Sequence, residues 1–158
     1  MAWYARRRPD LRWSHNMVAM PEKMVARAIM LKKLKRQTLV LLVRKKSEPH
    51  TYELPGGRRK RTEKWIEALT RELYEELGVR INPKACVKWG NGRMRTTHDA
   101  GTSVQVVLYK ITAIGRVRPK SEIIECRWIP LSDLAMYPLE RKTKIILWLY
   151  YRFVQGSR

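Results

Sequence analysis

Residues 57–79 read GRRKRTEKWIEALTRELYEELGV, and this stretch decides how the rest of the chain is read. Thr62 is a residue type that caps helices, Gly78 supplies a stop just past Leu77, and the apolar positions between them recur at helical spacing. A helix over 63–77, with Glu63 in its first turn, is predicted. Within it Glu72, Glu75 and Glu76 stand at i, i+3 and i+4, so at about 100° per residue the three carboxylates share one face. Unpaired like charges at this spacing weaken a helix by about 0.2–0.5 kcal/mol per pair. Lys64 and Arg71 are too few to neutralise them, so cations from elsewhere must. Two sources fit: basic side chains bridging to a solvated acidic face, or a hard divalent metal ion that prefers carboxylate oxygens and leaves positions open for water and phosphate.

Outward from this helix, the preceding Leu54-Pro55-Gly56-Gly57 is a strong turn signal. Residues 23–33 and 37–46 read as a strand pair joined by a turn at 33–36, and 51–54 as a short strand. Beyond the helix, 79–81 and 85–89 read as short strands, 90–102 as a polar Gly-containing loop, 103–114 as a long buried strand and 122–129 as a last strand with Trp128. Residues 131–136 suit a helical turn or two. A closing helix over about 139–154 carries Ile145, Ile146, Leu149, Tyr150 and Phe153 at helical spacing, widened by Trp148 and Tyr151. That width suits either a broad core contact or a homodimer contact. Residues 1–20 mix Trp3, Tyr4, Trp13 and Arg6 to Arg8 without either period and read as a basic, aromatic N-terminal extension to a single domain over 21–158.

At 158 residues and 44% hydrophobic, the chain has material for one core and no room for a second full domain. The longest apolar runs, 39–43 and 145–151, fall far short of the roughly 20 residues a membrane helix needs, so no membrane partner is expected. The first residues lack a secretory leader's apolar segment and cleavage site, and Cys86 and Cys126 lack metal-site spacing. Reduced, packed cysteines in a cytoplasmic protein are the expectation. The net charge of +20 attracts polyanions such as nucleotides or RNA. It is unevenly spread: residues 62–79 sum to −3, while 21–61 and 80–158 each sum to +10. An anionic centre inside a basic body suits a bound cation beside a bound polyanion.

Gly57, five residues, Glu63, seven residues, then Arg71-Glu72-Leu73-Tyr74-Glu75-Glu76-Leu77-Gly78-Val79 resembles the signature of the Nudix hydrolase family at every defined position. Leu54-Pro55-Gly56 is similar to the family's usual lead-in, and the order of elements resembles its fold over about 22–155. The resemblance implies an α/β (α+β) αβα sandwich around a central mixed β-sheet. It implies a Nudix pyrophosphohydrolase that cleaves a diphosphate bond in a nucleoside diphosphate linked to another group, with Mg²⁺ or Mn²⁺. Glu72, Glu75 and Glu76 would hold metal that bridges phosphate oxygens, neutralises the leaving group and acidifies a water. Gly57 would bring its carbonyl to the metal, Arg71 would orient a carboxylate, and Glu63 would fix the loop. The general base differs among members. Some use a box glutamate such as Glu75 or Glu76, and others an acid from a distant loop, for which Glu122 is favoured over Glu125. Many members carry Gly just before the first glutamate, where this chain has Thr62.

Arg58, Arg59, Lys60 and Arg61 are either a solvated loop or a grip on additional phosphates; Glu125 is a further candidate for substrate contact. Three functions are carried forward. The first is hydrolysis of a (deoxy)nucleoside triphosphate or related nucleotide. The second keeps that chemistry but acts on an RNA 5′ end, as a pyrophosphohydrolase or decapping-type enzyme, on the strength of the basic charge and the N-terminal aromatics. The third is a non-catalytic Nudix-like RNA-binding module, against which the three intact carboxylates argue.

Overall fold

The computed structural model describes residues 22–95, 103–112 and 115–155; the N-terminal extension, residues 96–102 of the loop expected over 90–102, and 113–114 of the strand expected over 103–114 lie outside them. Strand β1 (Glu22–Leu34) organises the sheet. Its far half pairs antiparallel with β2 (Gln37–Lys45) across a turn in which Lys35 takes φ 53°, and its near half pairs with the short β4 (Gly56–Arg58). The opposite edge of β1 runs parallel to β6 (Ser103–Ile111), which pairs in turn with β5 (Val87–Arg95). β2 also carries β3 (Glu48–Glu53) and β7 (Ile123–Pro130), giving a mixed sheet of seven strands. The αβα sandwich expected from the resemblance is the fold observed.

Strand alternation sorts the side chains to two faces. Ala26, Ala28 and Met30 of β1 and Leu41 and Val43 of β2 join Leu69, Leu73 and Leu77 of helix α1 (Trp65–Leu77) in one core layer. Ile29, Leu31, Val40 and Leu42 join Ile146, Leu147 and Tyr150 of helix α2 (Arg141–Gln155) in the other. Helix α1 ends as expected: Gly78 takes φ 67°, its N–H reaches the Tyr74 carbonyl, and the Val79 N–H reaches that of Leu73. Its start differs. The helix begins at Trp65 after Lys64, whose own N–H is bound by the Glu67 carboxylate at 2.8 Å, so Thr62 is not the cap and Glu63 precedes the first turn. The cause is local: Glu63 accepts the Lys60 N–H at 2.9 Å and closes residues 60–63 into a turn of their own.

Three further expectations shift. Residues 79–81 bury Val79 and Ile81 without joining a strand. Pro83–Ala85 forms a 3-10 turn capped by Asn82, so the strand expected at 85–89 starts at Val87 and runs on to Arg95, through part of the segment expected as loop. Gly90 and Gly92 do not break it because both stay in register with β6, past a bulge between Lys88 and Gly90. Helix α2 begins at Arg141 because residues 138–140 bridge to Tyr52 and the Glu140 carboxylate caps Thr143. Its buried face is Thr143, Ile146, Leu147 and Tyr150, one step round from the expected stripe, and Ile145, Trp148 and Phe153 face outward. Cys86 and Cys126 are both free thiols. Among the described residues no helix is long and apolar enough to cross a membrane.

The placement of α2 is checked by stability. Truncating the fully buried Leu147 to Ala is expected to cost about 2–5 kcal/mol in urea unfolding. Ile145→Ala on the outward face should stay within about 1 kcal/mol.

Candidate active site

The turn from Leu54 to Gly57 is pressed onto β1. The Ala28 N–H donates to the Pro55 carbonyl at 2.9 Å, and the Arg27 guanidinium donates to the Leu54 and Gly56 carbonyls at 2.9 and 2.7 Å. Gly56 has φ 122°, and a Cβ there would stand 2.2 Å from the Ala26 carbonyl oxygen. A Cβ on Gly57 would stand 2.4 Å from the Glu72 carboxylate. Gly56 therefore requires glycine for conformation and close packing, while glycine at 57 lets the Glu72 carboxylate lie directly against the backbone.

Against this turn, α1 sets its acidic face. Glu76 is almost wholly buried, and its Oε2 accepts the Gly56 N–H at 2.9 Å. Burial pushes its carboxyl above the usual range; the Lys45 ammonium and the Gly56 N–H pull it back only in part. Lys45, on β2, stands 2.9 Å from Glu53, 3.0 Å from Glu76 and 3.1 Å from Glu122. Burial and the neighbouring Arg27 would lower its pKa, but the carboxylates of Glu76 and Glu53 prevail and hold it above the ordinary amine range. Glu53 in turn is held below the usual carboxylate range, because Arg27 and Lys45 outweigh its burial.

A second hub is Arg71. It donates to Glu63 at 2.7 and 3.0 Å, to Glu72 at 2.6 Å, to Glu75 at 3.3 Å and to the Arg58 carbonyl at 3.0 Å. Its bonds and the Lys60 N–H draw the Glu63 carboxyl down to about 2. Glu63 thus ties the 58–63 loop to the helix and holds the arginine that aligns Glu72 and Glu75.

The arrangement brings Gly57, Glu72, Glu75, Glu76, Arg71 and Glu122 into one neighbourhood. Among the described residues no three carboxylate, imidazole or thiol groups converge tightly enough to enclose a metal; Arg71 holds Glu72 and Glu75, and Lys45 holds Glu76. The donors nonetheless fit a hard cation. Glu76 Oε1 is buried beside Lys45 with no hydrogen bond of its own, Glu72 lies in the cradle a Cβ on Gly57 would fill, and Glu75 is half exposed on a long 3.3 Å contact with Arg71.

Other candidates fall elsewhere. Glu125 faces the α2 side, paired with Arg44 and, at 2.7 Å, with Arg127, and is not brought to the carboxylate cluster. Arg59 is folded back over the Trp65 ring, 4.9 Å from its centroid. Arg58 and Arg61 are exposed, and their side chains have no partner among the described residues. Sequence reasoning passed over Lys45, Glu53 and Arg27. For Lys45 a signal existed, since it continues the alternation of Leu41 and Val43 toward α1.

A family model described as NUDIX domain matches residues 22–149. The chain belongs to the Nudix family. As a Nudix protein it is a pyrophosphohydrolase by class. Solved structures share the fold at low identity. The NUDIX domain of Shewanella oneidensis NrtR, complexed with ADP ribose, is 19% identical with a TM-score of 0.71 over 85% of this chain and 89% of that one. A Caenorhabditis elegans Ap4A hydrolase is 20% identical with a TM-score of 0.62 over 85% and 98%. A MutT/nudix family protein from Enterococcus faecalis is 23% identical with a TM-score of 0.62 over 74% of this chain, which spans about half of that protein (47%). No curated protein matches the chain.

Two outcomes test the Nudix site's electrostatics. Lys45→Met leaves the Glu76 charge buried without its cation and is expected to cost about 3–5 kcal/mol at pH 7, less in acid where Glu76 is neutral, by urea unfolding across pH. For Glu63 the folded pKa is depressed, so its stabilisation is present above 4.5 and fades as pH falls toward about 2. Glu63→Gln should therefore lower the melting temperature at neutral pH, with the gap to wild type closing in that acid window.

Proposed function

We propose that this Nudix protein hydrolyses the diphosphate bond of a nucleoside diphosphate derivative, with a (deoxy)nucleoside triphosphate or a related nucleotide as substrate and Mg²⁺ as its metal. The single observation that carries the reading is the buried Glu76 set between the Gly56 N–H and a cationic side chain, with Glu72 against Gly57 and a half-exposed Glu75 beside them. Burying a carboxylate costs several kcal/mol even when paired, and a metal bound there would offset that cost. Mn²⁺ suits the same oxygen donors.

Glu72, Glu75, Glu76 and the Gly57 carbonyl would hold the ion, which when bound supplies neutralisation of phosphate oxygens and activation of water. The chain's own residues do the rest. Arg71 keeps Glu72 and Glu75 aligned. Arg58 and Arg61, without side-chain partners among the described residues, are the cations that reach outward to the remaining phosphates. Glu122, more than half exposed and within 3.1 Å of Lys45, stands at the mouth of the cluster and is the acid we assign as general base in preference to Glu125. Water attacks phosphorus, the bridging P–O bond breaks, and a nucleoside monophosphate and a second phosphate fragment leave.

The same free arginines favour a second reading, in which the nucleotide is the triphosphorylated 5′ end of an RNA. A non-catalytic RNA-binding module is disfavoured by the organised carboxylates.

Hydrolysis of a nucleotide panel with Mg²⁺, followed by phosphorus NMR, is expected to yield a nucleoside monophosphate. Glu75→Gln and Glu76→Gln should each lower kcat about a hundredfold or more with the fold retained. Unchanged rates in both variants would defeat the assignment.

A further inference from the structure

On the α1 side of the sheet, away from the carboxylates, lies a cavity of about 340 Å³ lined by Lys32, Thr112, Gly115, Arg116, Val117 and Trp128. Lys32 rests over the half-buried Trp128 ring, 4.4 Å from its centroid. Neither Arg116 nor Arg118 has a side-chain partner among the described residues, and no acid lines the cavity. From there residues 116–120 run along the last turn of α1, held by the Arg118 N–H on the Leu77 carbonyl at 3.0 Å and the Lys120 N–H on the Glu76 carbonyl at 2.8 Å. Ser121 then bonds the Glu75 carbonyl at 3.1 Å, and Glu122 follows at the active site. Along this path stands a second aromatic ring, the exposed Tyr74, faced by Arg80 at 5.5 Å and Lys120 at 5.3 Å.

We infer that this strip, from the Trp128 cavity to the Tyr74 ring, binds a single-stranded nucleic acid chain whose end enters the carboxylate site. It is a row of cations interleaved with two aromatic faces, the combination that tracks a phosphate backbone while stacking bases without sequence preference. Its position has its own electrostatic logic. The C-terminal end of a helix repels anions, and α1 has no basic residue in its last turn. Arg118, Lys120 and Arg80 supply the positive charge there from neighbouring segments. The path from Arg116 to Glu122 spans six residue steps, at most about 20 Å when extended, so the strip accommodates a few nucleotides rather than one. The inference rests on the proposed site for where the chain's end lies, while binding along the strip is read without turnover.

The experiment is binding, not turnover. A fluorescent 12-nucleotide RNA with a 5′-hydroxyl end, which carries no diphosphate bond to cleave, is titrated with the full chain at several salt concentrations. DNA of the same sequence, the free mononucleotide, inorganic polyphosphate of matched charge and phosphatidylserine vesicles are run in parallel. The triple variant K32A/R116A/R118A is expected to bind the oligonucleotide at least about tenfold more weakly. Its dependence of log affinity on log salt should be shallower by about 2, at about 0.7 per lost phosphate contact. Its thermal unfolding should change little, since among the described residues these side chains make no ion pairs and Lys32 gives up a single ring contact. RNA bound more tightly than DNA identifies RNA as the ligand; the reverse identifies DNA. The inference fails if the triple variant retains wild-type affinity, if only R58A/R61A weakens binding, or if mononucleotide, polyphosphate or vesicles bind as tightly as the oligonucleotide.

Discussion

A carboxylate buried between two elements and answered by one ammonium group is the constraint on which this molecule turns. Glu76 joins α1 to the Gly56 N–H and to Lys45 on β2. Its side chain lies in the same stripe as Leu69, Leu73 and Leu77, so the apolar packing of the helix drives it into the interior whether or not its charge is welcome there. Isolated, it would shed its charge. Lys45 keeps the interior charge paired, and Glu53, Arg27 and Glu122 extend the pair into a network reaching the surface. An ammonium group beside a glutamate is replaceable: it occupies the part of Glu76 that a stronger cation would take, and it can shift to Glu53 or Glu122 when displaced.

The glycines follow from the same constraint. If helix carboxylates are to face a turn at bonding distance, the turn cannot carry side chains. The two positions fail differently when substituted, Gly56 against the backbone of β1 and Gly57 against the Glu72 side chain, which can rotate. The first glycine therefore belongs to the fold and the second to the site. Arg71 links the two, since it grips the Arg58 carbonyl after the turn and two of the helix glutamates at once.

Much of this was legible from residue order. The helix, its glycine stop, the first strand pair and the grouping of Glu72, Glu75 and Glu76 depend on local periodicity and turn chemistry, which sequence carries directly. What escaped depends on partners far apart in the chain. The Lys45 network joins residues from β1, β2, β3, α1 and the approach to β7, and no spacing rule links them. Thr62 looked like a cap because its chemistry is right, but a carboxylate one residue later claimed the turn. Gly90 and Gly92 looked like a loop, and β6 kept them in a strand. In α2 a stripe with apolar residues on nearly every side left the buried face to be chosen by the sheet.

The charge distribution gains meaning once the site is placed. A polyanionic substrate nearing a body of +20 is drawn in from any direction at distances within about a Debye length, about 8 Å at physiological salt. Attraction alone would leave phosphates on whichever cations they met first. The carboxylate cluster breaks that uniformity, because it repels phosphate until a divalent cation intervenes. Such an ion would turn this anionic part of a basic body into the place where an anhydride is held most firmly. On the proposed reading the basic surroundings would gather substrate and the acidic centre, once it held a metal, would select where the bond is cut; neither charge pattern alone would accomplish both.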